Sequence, residues 1–279
     1  MSDWSELQIS EAIAMVVASG VVVRNWTVLS CSNRLVIALG PDKLIAKTVR
    51  INDAARLVKE FAVAGHVAAQ KGPVAPPVSG TSVLLGESVA VSLWEPVEVL
   101  APPSDAAAYD AYLDLRRSLD TFSGSLPDFQ EITAGAARRL DAAILQGLSN
   151  EDTALLRASF ASSLARLAKF RWSGSTLHGD PHAGNVVATR HGPQWLDLED
   201  VCIGPLEWDL LAFPPHARTL THDPSLLSEL TQLRRACVVI WCASKTRLSV
   251  DETKAVAYHM DGIRAEASGQ NFPTHRAQA

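Results

Sequence analysis

The sequence predicts an α+β chain in two lobes, a small antiparallel β-rich lobe followed by a larger, mostly helical one. Three observations predict it. Short runs rich in apolar and β-branched residues fill residues 26–49 and 83–94. Pro96, Pro102 and Pro103 then forbid a continuing strand or helix. From residue 105 onward the apolar residues recur at helical spacing. The first lobe is assigned to residues 1–96 and the second to residues 97–279, with a hinge at 93–97.

In the first lobe, Leu7, Ile9, Ile13, Val16 and Val17 share one helical face, and Gly20 is a stop, so residues 6–18 are predicted helical. Residues 26–29, 35–39 and 44–49 read as three antiparallel strands. Their separators are Ser30, Cys31, Ser32 and Asn33, then the turn signal Gly40, Pro41, Asp42. Lys47 sits inside the third apolar run. It is either a solvated lysine on the outer sheet face or a lysine that reaches nucleotide phosphates. Residues 53–70 follow as a helix with Ala54, Leu57, Val58, Phe61 and Val67 on a stripe, and Glu60 lies in it, 13 residues after Lys47. A strand lysine paired with a glutamate of the next helix is the ion pair that positions ATP in kinases. A proline-rich loop at 72–77 and two strands at 83–85 and 89–94 complete the lobe.

In the second lobe, helices are predicted at 106–119, at 133–148, and from an N-cap at Ser149 to about residue 170. After residue 197 the chain forms a loop entering a helix at 204–211, then apolar helices at 230–243 and about 250–267, then a polar tail. Between the third helix and that loop lies a different texture. Residues 176–187 hold His178, Asp180 and Asn185 in a polar loop flanked by apolar residues, and Trp195 and Leu196 then deliver Asp197. Phosphoryl transfer needs this set: an Asp to accept the proton of the attacking hydroxyl, and an Asn and a second Asp to hold Mg²⁺ against the phosphates. A competing reading takes His178, Asp180 and His182 as metal ligands of a hydrolase. It finds no second histidine cluster and leaves Asn185 and Asp197 without a role.

Composition sets the remaining bounds. The chain has 279 residues, 47% hydrophobic and 20% charged, with net charge −5, as expected of a folded globular protein and not of a nucleic-acid binder. Cys31, Cys202, Cys237 and Cys242 form no zinc spacing and read as reduced thiols. The acidic N-terminus lacks the basic stretch of a signal peptide, and no apolar run reaches the roughly 20 residues of a membrane span. A cytoplasmic protein without nucleic-acid or membrane partners is expected; nothing in the pattern speaks to oligomeric state.

Strand lysine, helix glutamate, hinge, the loop His178–Gly179–Asp180 with Asn185 five residues on, and Asp197 resemble, in that order, the aminoglycoside phosphotransferase and choline kinase-like family, over roughly residues 22–265. The resemblance implies a bilobal protein-kinase-like fold, ATP and Mg²⁺ as cofactors, and transfer of the γ-phosphoryl group to a hydroxyl of a small, cationic acceptor. It implies Asp180 as catalytic base, Asn185 and Asp197 as metal ligands, Lys47 on the phosphates with Glu60 as its partner, and Glu95 and Val97 where the hinge backbone meets adenine. Asp209 resembles the helix Asp that braces the catalytic loop. The segment 30–33 lacks the glycines of a phosphate cover, so only Ser30, Ser32 and backbone amides are offered for phosphate. The metal segment reads Asp197, Leu198, Glu199, Asp200, where Glu199 is either a ligand to a second ion or a surface acid. Acceptor contacts are sought among Glu207, Asp223, Glu229, Asp251, Glu252, Asp261 and Glu266; Trp208 and Trp241 either stack on a ring or pack in the core. An aminoglycoside-like antibiotic, a metabolite such as choline or an amino-sugar, and a regulatory pseudokinase are the alternatives carried forward.

Overall fold

The computed structural model describes residues 4–31, 34–142, 145–245, 247–270 and 272. Along the chain run α1 (Glu6–Ala18), β1 (Asn25–Cys31), β2 (Leu35–Gly40), β3 (Leu44–Arg50), α2 (Ala54–Ala69), β4 (Leu84–Leu85), β5 (Val89–Trp94), α3 (Asp105–Leu119), α4 (Gln130–Ala142) and α5 (Asn150–Leu167). They are followed by β6 (Ser175–Leu177), β7 (Val186–Thr189), β8 (Gly192–Trp195), β9 (Cys202–Gly204), α6 (Leu206–Leu210), α7 (Pro224–Ala243) and α8 (Val250–Ala267). Two compact units result: Met1–Leu126 with Asp180–Val201, and Pro127–Gly179 with Cys202–Ala279.

The first unit is built on a five-stranded antiparallel sheet in the order β1-β2-β3-β5-β4. Pleating sends alternate side chains to opposite faces. Leu35, Ile37 and Leu39 of β2, Ala46 of β3 and Val89, Val91 and Leu93 of β5 form one core with Trp4, Ala12 and Val16. Each large aliphatic side chain so buried contributes about 1.5–3 kcal/mol. Helix α1 starts at a capping box between Ser5 and Gln8. It is tied to the β4–β5 turn by Glu11, whose Oε1 accepts the backbone N–H of Glu87 at 2.7 Å and of Ser88 at 3.0 Å. The other parity, Lys47 and Val49 of β3 with Ala90, Ser92 and Trp94 of β5, faces α2: Val49 and Ala90 pack with Leu57, and Phe61 meets Trp94 edge-on at 5.9 Å.

Strands β7 and β8 make a separate hairpin whose turn uses Gly192 at φ 98°, a left-handed conformation that favours glycine. Its last residue, Trp195, is fully buried. The Trp195 N–H donates to the Pro73 carbonyl at 2.8 Å, its carbonyl accepts the Ala75 N–H at 3.2 Å, and its ring meets Tyr112 of α3 edge-on at 6.3 Å. The Leu100 N–H donates to the Ala188 carbonyl at 2.8 Å. These contacts hold α3 and residues 180–201 with the sheet. The compact units part after residue 126, and residues 93–97 lie inside the first unit.

The second unit is helical. Helices α5, α7 and α8 bury Leu156, Phe160, Leu230, Leu233, Ile240, Met260 and Ile263 in one core. Ser149, Asp223 and Ser249 cap α5, α7 and α8 by accepting backbone N–H groups. The helix expected at 133–148 spans Gln130–Ala142 instead. Leu145 is already outside any helix, Gly147 sits at φ 76°, and the Gln146 N–H turns to the Ala243 carbonyl at 2.7 Å; residues 143 and 144 lie outside the described residues. Strands β6 and β9 pair antiparallel, Ser175 opposite Gly204. Among the described residues no helix is long and apolar enough to cross a membrane. All four cysteines are free thiols; burial pushes Cys237 up to about 12, and Cys31 is exposed.

Candidate active site

The loop that carries the His–Gly–Asp triplet is braced before it reaches Asp180. In the second unit Asp209 of α6 is fully buried, and its two carboxylate oxygens accept the N–H of His178 at 2.7 Å and of Gly179 at 3.0 Å. Trp208 Nε1 donates to the Gly179 carbonyl at 2.6 Å, and Gly179 holds φ 90°. Hydrogen bonds to a charged group stabilise by about 1.5–3 kcal/mol each, which offsets the cost of burying the carboxylate.

In the first unit the loop folds back on itself. The Asp180 carbonyl accepts both the His182 N–H and the Asn185 side-chain Nδ2, each at 2.9 Å. The Asn185 N–H donates to the His182 carbonyl at 2.8 Å, and the Asn185 carbonyl accepts the Leu196 N–H at 2.7 Å, joining the loop to the segment that holds Asp197. His182 Nδ1 accepts the Gly184 N–H at 2.9 Å, so in the neutral ring the proton sits on Nε2, 3.4 Å from Asp180 Oδ2. Both His182 nitrogens are thus engaged within the loop. Since Nδ2 is the donating atom of Asn185, its Oδ1 is the atom with which it would meet a cation.

Lys47 is not a solvated lysine. Its Nζ lies 2.6 Å from Glu60 Oε1 and 4.2 Å from the centre of the Trp94 ring. Glu60, 1% exposed, takes a second cation on its other oxygen, Arg34 at 3.2 Å. Arg34 was not singled out from the sequence. A cation at the head of an apolar strand was the available signal, the same one that drew attention to Lys47. Its side chain is 12% exposed and also binds the carboxylates of Asp197 and, at 2.5 Å, Glu199. Arg56 then pairs with Asp200 at 2.6 Å and Glu199 at 3.6 Å. Burial works against the Arg34 charge, but Glu60, Asp197 and Glu199 outweigh it and raise its pKa. Burial pushes Glu199 up to about 7 despite the pull of Arg34, so it is no plain surface acid. Asp197 itself sits at φ 59°, ψ 63°, in the left-handed region that Asp adopts more readily than most residues.

The other expected residues fall as follows. Ser32 lies outside the described residues. Glu95 points to solvent, and its N–H is committed to the Pro76 carbonyl at 3.0 Å; Val97 is half-buried. The seven carboxylates considered for acceptor contacts all have structural partners. Glu207 accepts the Asp223 N–H, Asp223 caps α7, Glu229 and Glu266 bind Arg166, Glu252 caps α8 and binds Lys245, and Asp251 and Asp261 bind Lys254 and Arg264. Trp208 is fully buried against Phe129 at 4.9 Å and Trp241 meets it edge-on at 6.5 Å, so both are packing residues.

Among the described residues no three His, Cys, Asp or Glu side chains converge as a self-sufficient metal site. That excludes the cluster of His178, Asp180 and His182. Asp197 and Asn185 Oδ1 are oxygen donors of the kind that hold a divalent ion together with phosphate oxygens.

The chain matches the model of the phosphotransferase enzyme family over residues 23–235. No curated protein matches it in sequence. Solved structures do. One is APH(2")-IIia in complex with GDP and kanamycin, with 13% identity, TM-score 0.65, and coverage of 93% of this chain and 99% of that one. Another is the amicoumacin kinase hAmiN in complex with AMP-PNP, Ca²⁺ and Ami, with 14% identity, TM-score 0.66, and coverage of 98% and 97%. A third is the choline kinase LicA from Streptococcus pneumoniae, with 15% identity, TM-score 0.64, and coverage of 92% and 99%. The fold is the one these kinases share.

Proposed function

The chain belongs to the phosphotransferase enzyme family, and on that premise we propose that it transfers the γ-phosphoryl group of ATP, with Mg²⁺, to a hydroxyl of a small cationic acceptor. The observation that carries the reading is the Lys47–Glu60 pair at 2.6 Å in the same compact unit as Asp180, Asn185 and Asp197. Asp180 accepts the proton of the acceptor hydroxyl, with His182 Nε2 steadying its carboxylate. Lys47, held by Glu60, steadies the phosphates, and Asn185 and Asp197 would hold the metal. When bound, Mg²⁺ supplies neutralisation of phosphate charge. Catalysis on this reading is mainly positioning and charge compensation. The backbone at Glu95 and Val97 receives adenine, and Ser32 offers a further donor to phosphate.

The acidic balance of the chain, net −5, favours a cationic acceptor. The amicoumacin kinase and the choline kinase that share the fold support two readings, action on an antibiotic and metabolism of an amino alcohol or amino-sugar. A thermal-shift screen of such compounds with a non-hydrolysable ATP analogue separates these. A nucleotide-binding regulator without turnover is the alternative from another class; the presence of base, metal pair and lysine together argues against it. The place of action on this reading is the cytoplasm. The test is coupled ADP release over the acceptor panel. Asp180→Asn should lower kcat by about a hundredfold or more, and Asp197→Ala should do likewise. Near wild-type turnover in both would overturn the assignment.

A further inference from the structure

Arg34 stands one residue ahead of β2, in the parity that faces α2, and its guanidinium joins carboxylates from two distant stretches of the chain. It binds Glu60, 26 residues on, and Asp197, 163 residues on, as well as Glu199. Glu60 is already the anchor of Lys47. Asp197 and Glu199 belong to the segment assigned to the metal. An ion pair that merely braced the fold would not need to sit on the carboxylate assigned to the metal.

Charge makes the arrangement exclusive. Arg34 contacts Asp197 through Oδ1 and Glu199 through Oε2. A divalent ion on the same carboxylates would stand against a buried guanidinium, with Lys47 and Arg56 also close by. Seven charged side chains make up this cluster: three cations (Lys47, Arg34 and Arg56) and four carboxylates (Glu60, Asp197, Glu199 and Asp200). They are close to balanced without any added ion. The cluster sums to −1, which a lone divalent cation would turn to +1 beside the buried Arg34 guanidinium, whereas a nucleotide polyphosphate brings negative charge in with the ion.

We infer that Arg34 is a positioning residue that serves as resident counter-ion of Asp197 and Glu199, yields them to a divalent cation only when a polyphosphate arrives, and then serves the polyphosphate. Metal and nucleotide consequently bind together and neither binds well alone. The inference rests on the assignment of Asp197 to the metal in the proposed function.

The test is Mn²⁺ binding to the full chain without nucleotide, followed by the electron paramagnetic resonance of the free ion. Wild type should bind Mn²⁺ weakly, and a non-hydrolysable ATP analogue should tighten it strongly. Arg34→Gln should bind Mn²⁺ alone about tenfold tighter than wild type, because the competing charge is gone. Equal or weaker binding overturns the inference. If circular dichroism shows that Arg34→Gln does not fold, Arg34→Lys decides. A lysine is a point charge that cannot span three carboxylates, so it should tighten Mn²⁺ about threefold; unchanged affinity overturns the inference. Asp197→Ala in each background separates the two failures. Mn²⁺ binding that ignores Asp197 sinks the metal assignment and the inference with it. Mn²⁺ binding that needs Asp197 but ignores Arg34 sinks the exchange alone.

Discussion

Glu60 is the residue on which the charged cluster turns. It is 1% exposed and holds Lys47 on one oxygen and Arg34 on the other. Glu60→Ala leaves two buried cations short of an anion and should cost about 3–5 kcal/mol, read from urea denaturation. Lys47 and Glu60 were legible in the sequence because a lysine in an apolar strand and a glutamate 13 residues later fit a known pairing. Arg34 was not, since its partners come from a helix and from a segment 163 residues away. In the second unit His259 is a group whose titration should make stability fall in acid. Burial, then Arg234 and Arg235, bring it down to about 4. Its folded value lies below the unfolded value near 6.5, so the folded state binds fewer protons between those values. Its stabilising contribution is present above pH 6.5 and is lost as pH falls through 4, on the order of 3 kcal/mol. Urea midpoints between pH 7 and 4.5 should fall, and His259→Gln should flatten that fall; an identical slope in the variant would remove His259 as the cause.

Elements were the best-read level. The helix predicted at 6–18 is Glu6–Ala18, and the strand run at 35–49 and the Ser149 cap stand where periodicity and cap chemistry put them. Those signals are local, a period of 2 or 3.6 and an N-cap hydroxyl, and need no knowledge of partners. The helix expected at 133–148 spans Gln130–Ala142, because apolar spacing alone does not register the turn at residues 146–147. Helix α8 offers a clean test of local chemistry. Ser249 accepts the Glu252 N–H at 3.2 Å while Glu252 accepts the Ser249 N–H at 2.7 Å. Ser249→Ala should cost about 1 kcal/mol, which a melting curve reads as a drop of about 2–4 °C. At α6, Asp209→Ala removes both acceptors of the His178 and Gly179 amides. It should destabilise by about 2–4 kcal/mol and lower kcat more than it raises KM, since the loop it braces holds the proposed base.

At the scale of the molecule, a ligand that binds only the folded chain stabilises it by mass action. With Mg²⁺ and an ATP analogue at 100 times their dissociation constant the gain is about 2.7 kcal/mol, a melting shift on the order of 5 °C. Asp180→Asn should keep that shift and Asp197→Ala should lose most of it; loss in both would mean that Asp180 supports binding and not proton transfer. The sequence by itself determined the class of fold and the phosphotransferase family, and it singled out Asp180, Asn185 and Asp197 as candidates for base, amide and metal carboxylate, because each is written in a short stretch with its own spacing. The tertiary structure alone decided that α3 and the Asp180–Val201 stretch join the β-rich unit, that the acidic residues of the second unit serve as caps and bridges, and that Arg34 sits on Asp197. The physical reason is that charge pairing and packing act through distance in space, and no period or spacing along the chain records which distant residues that space brings together.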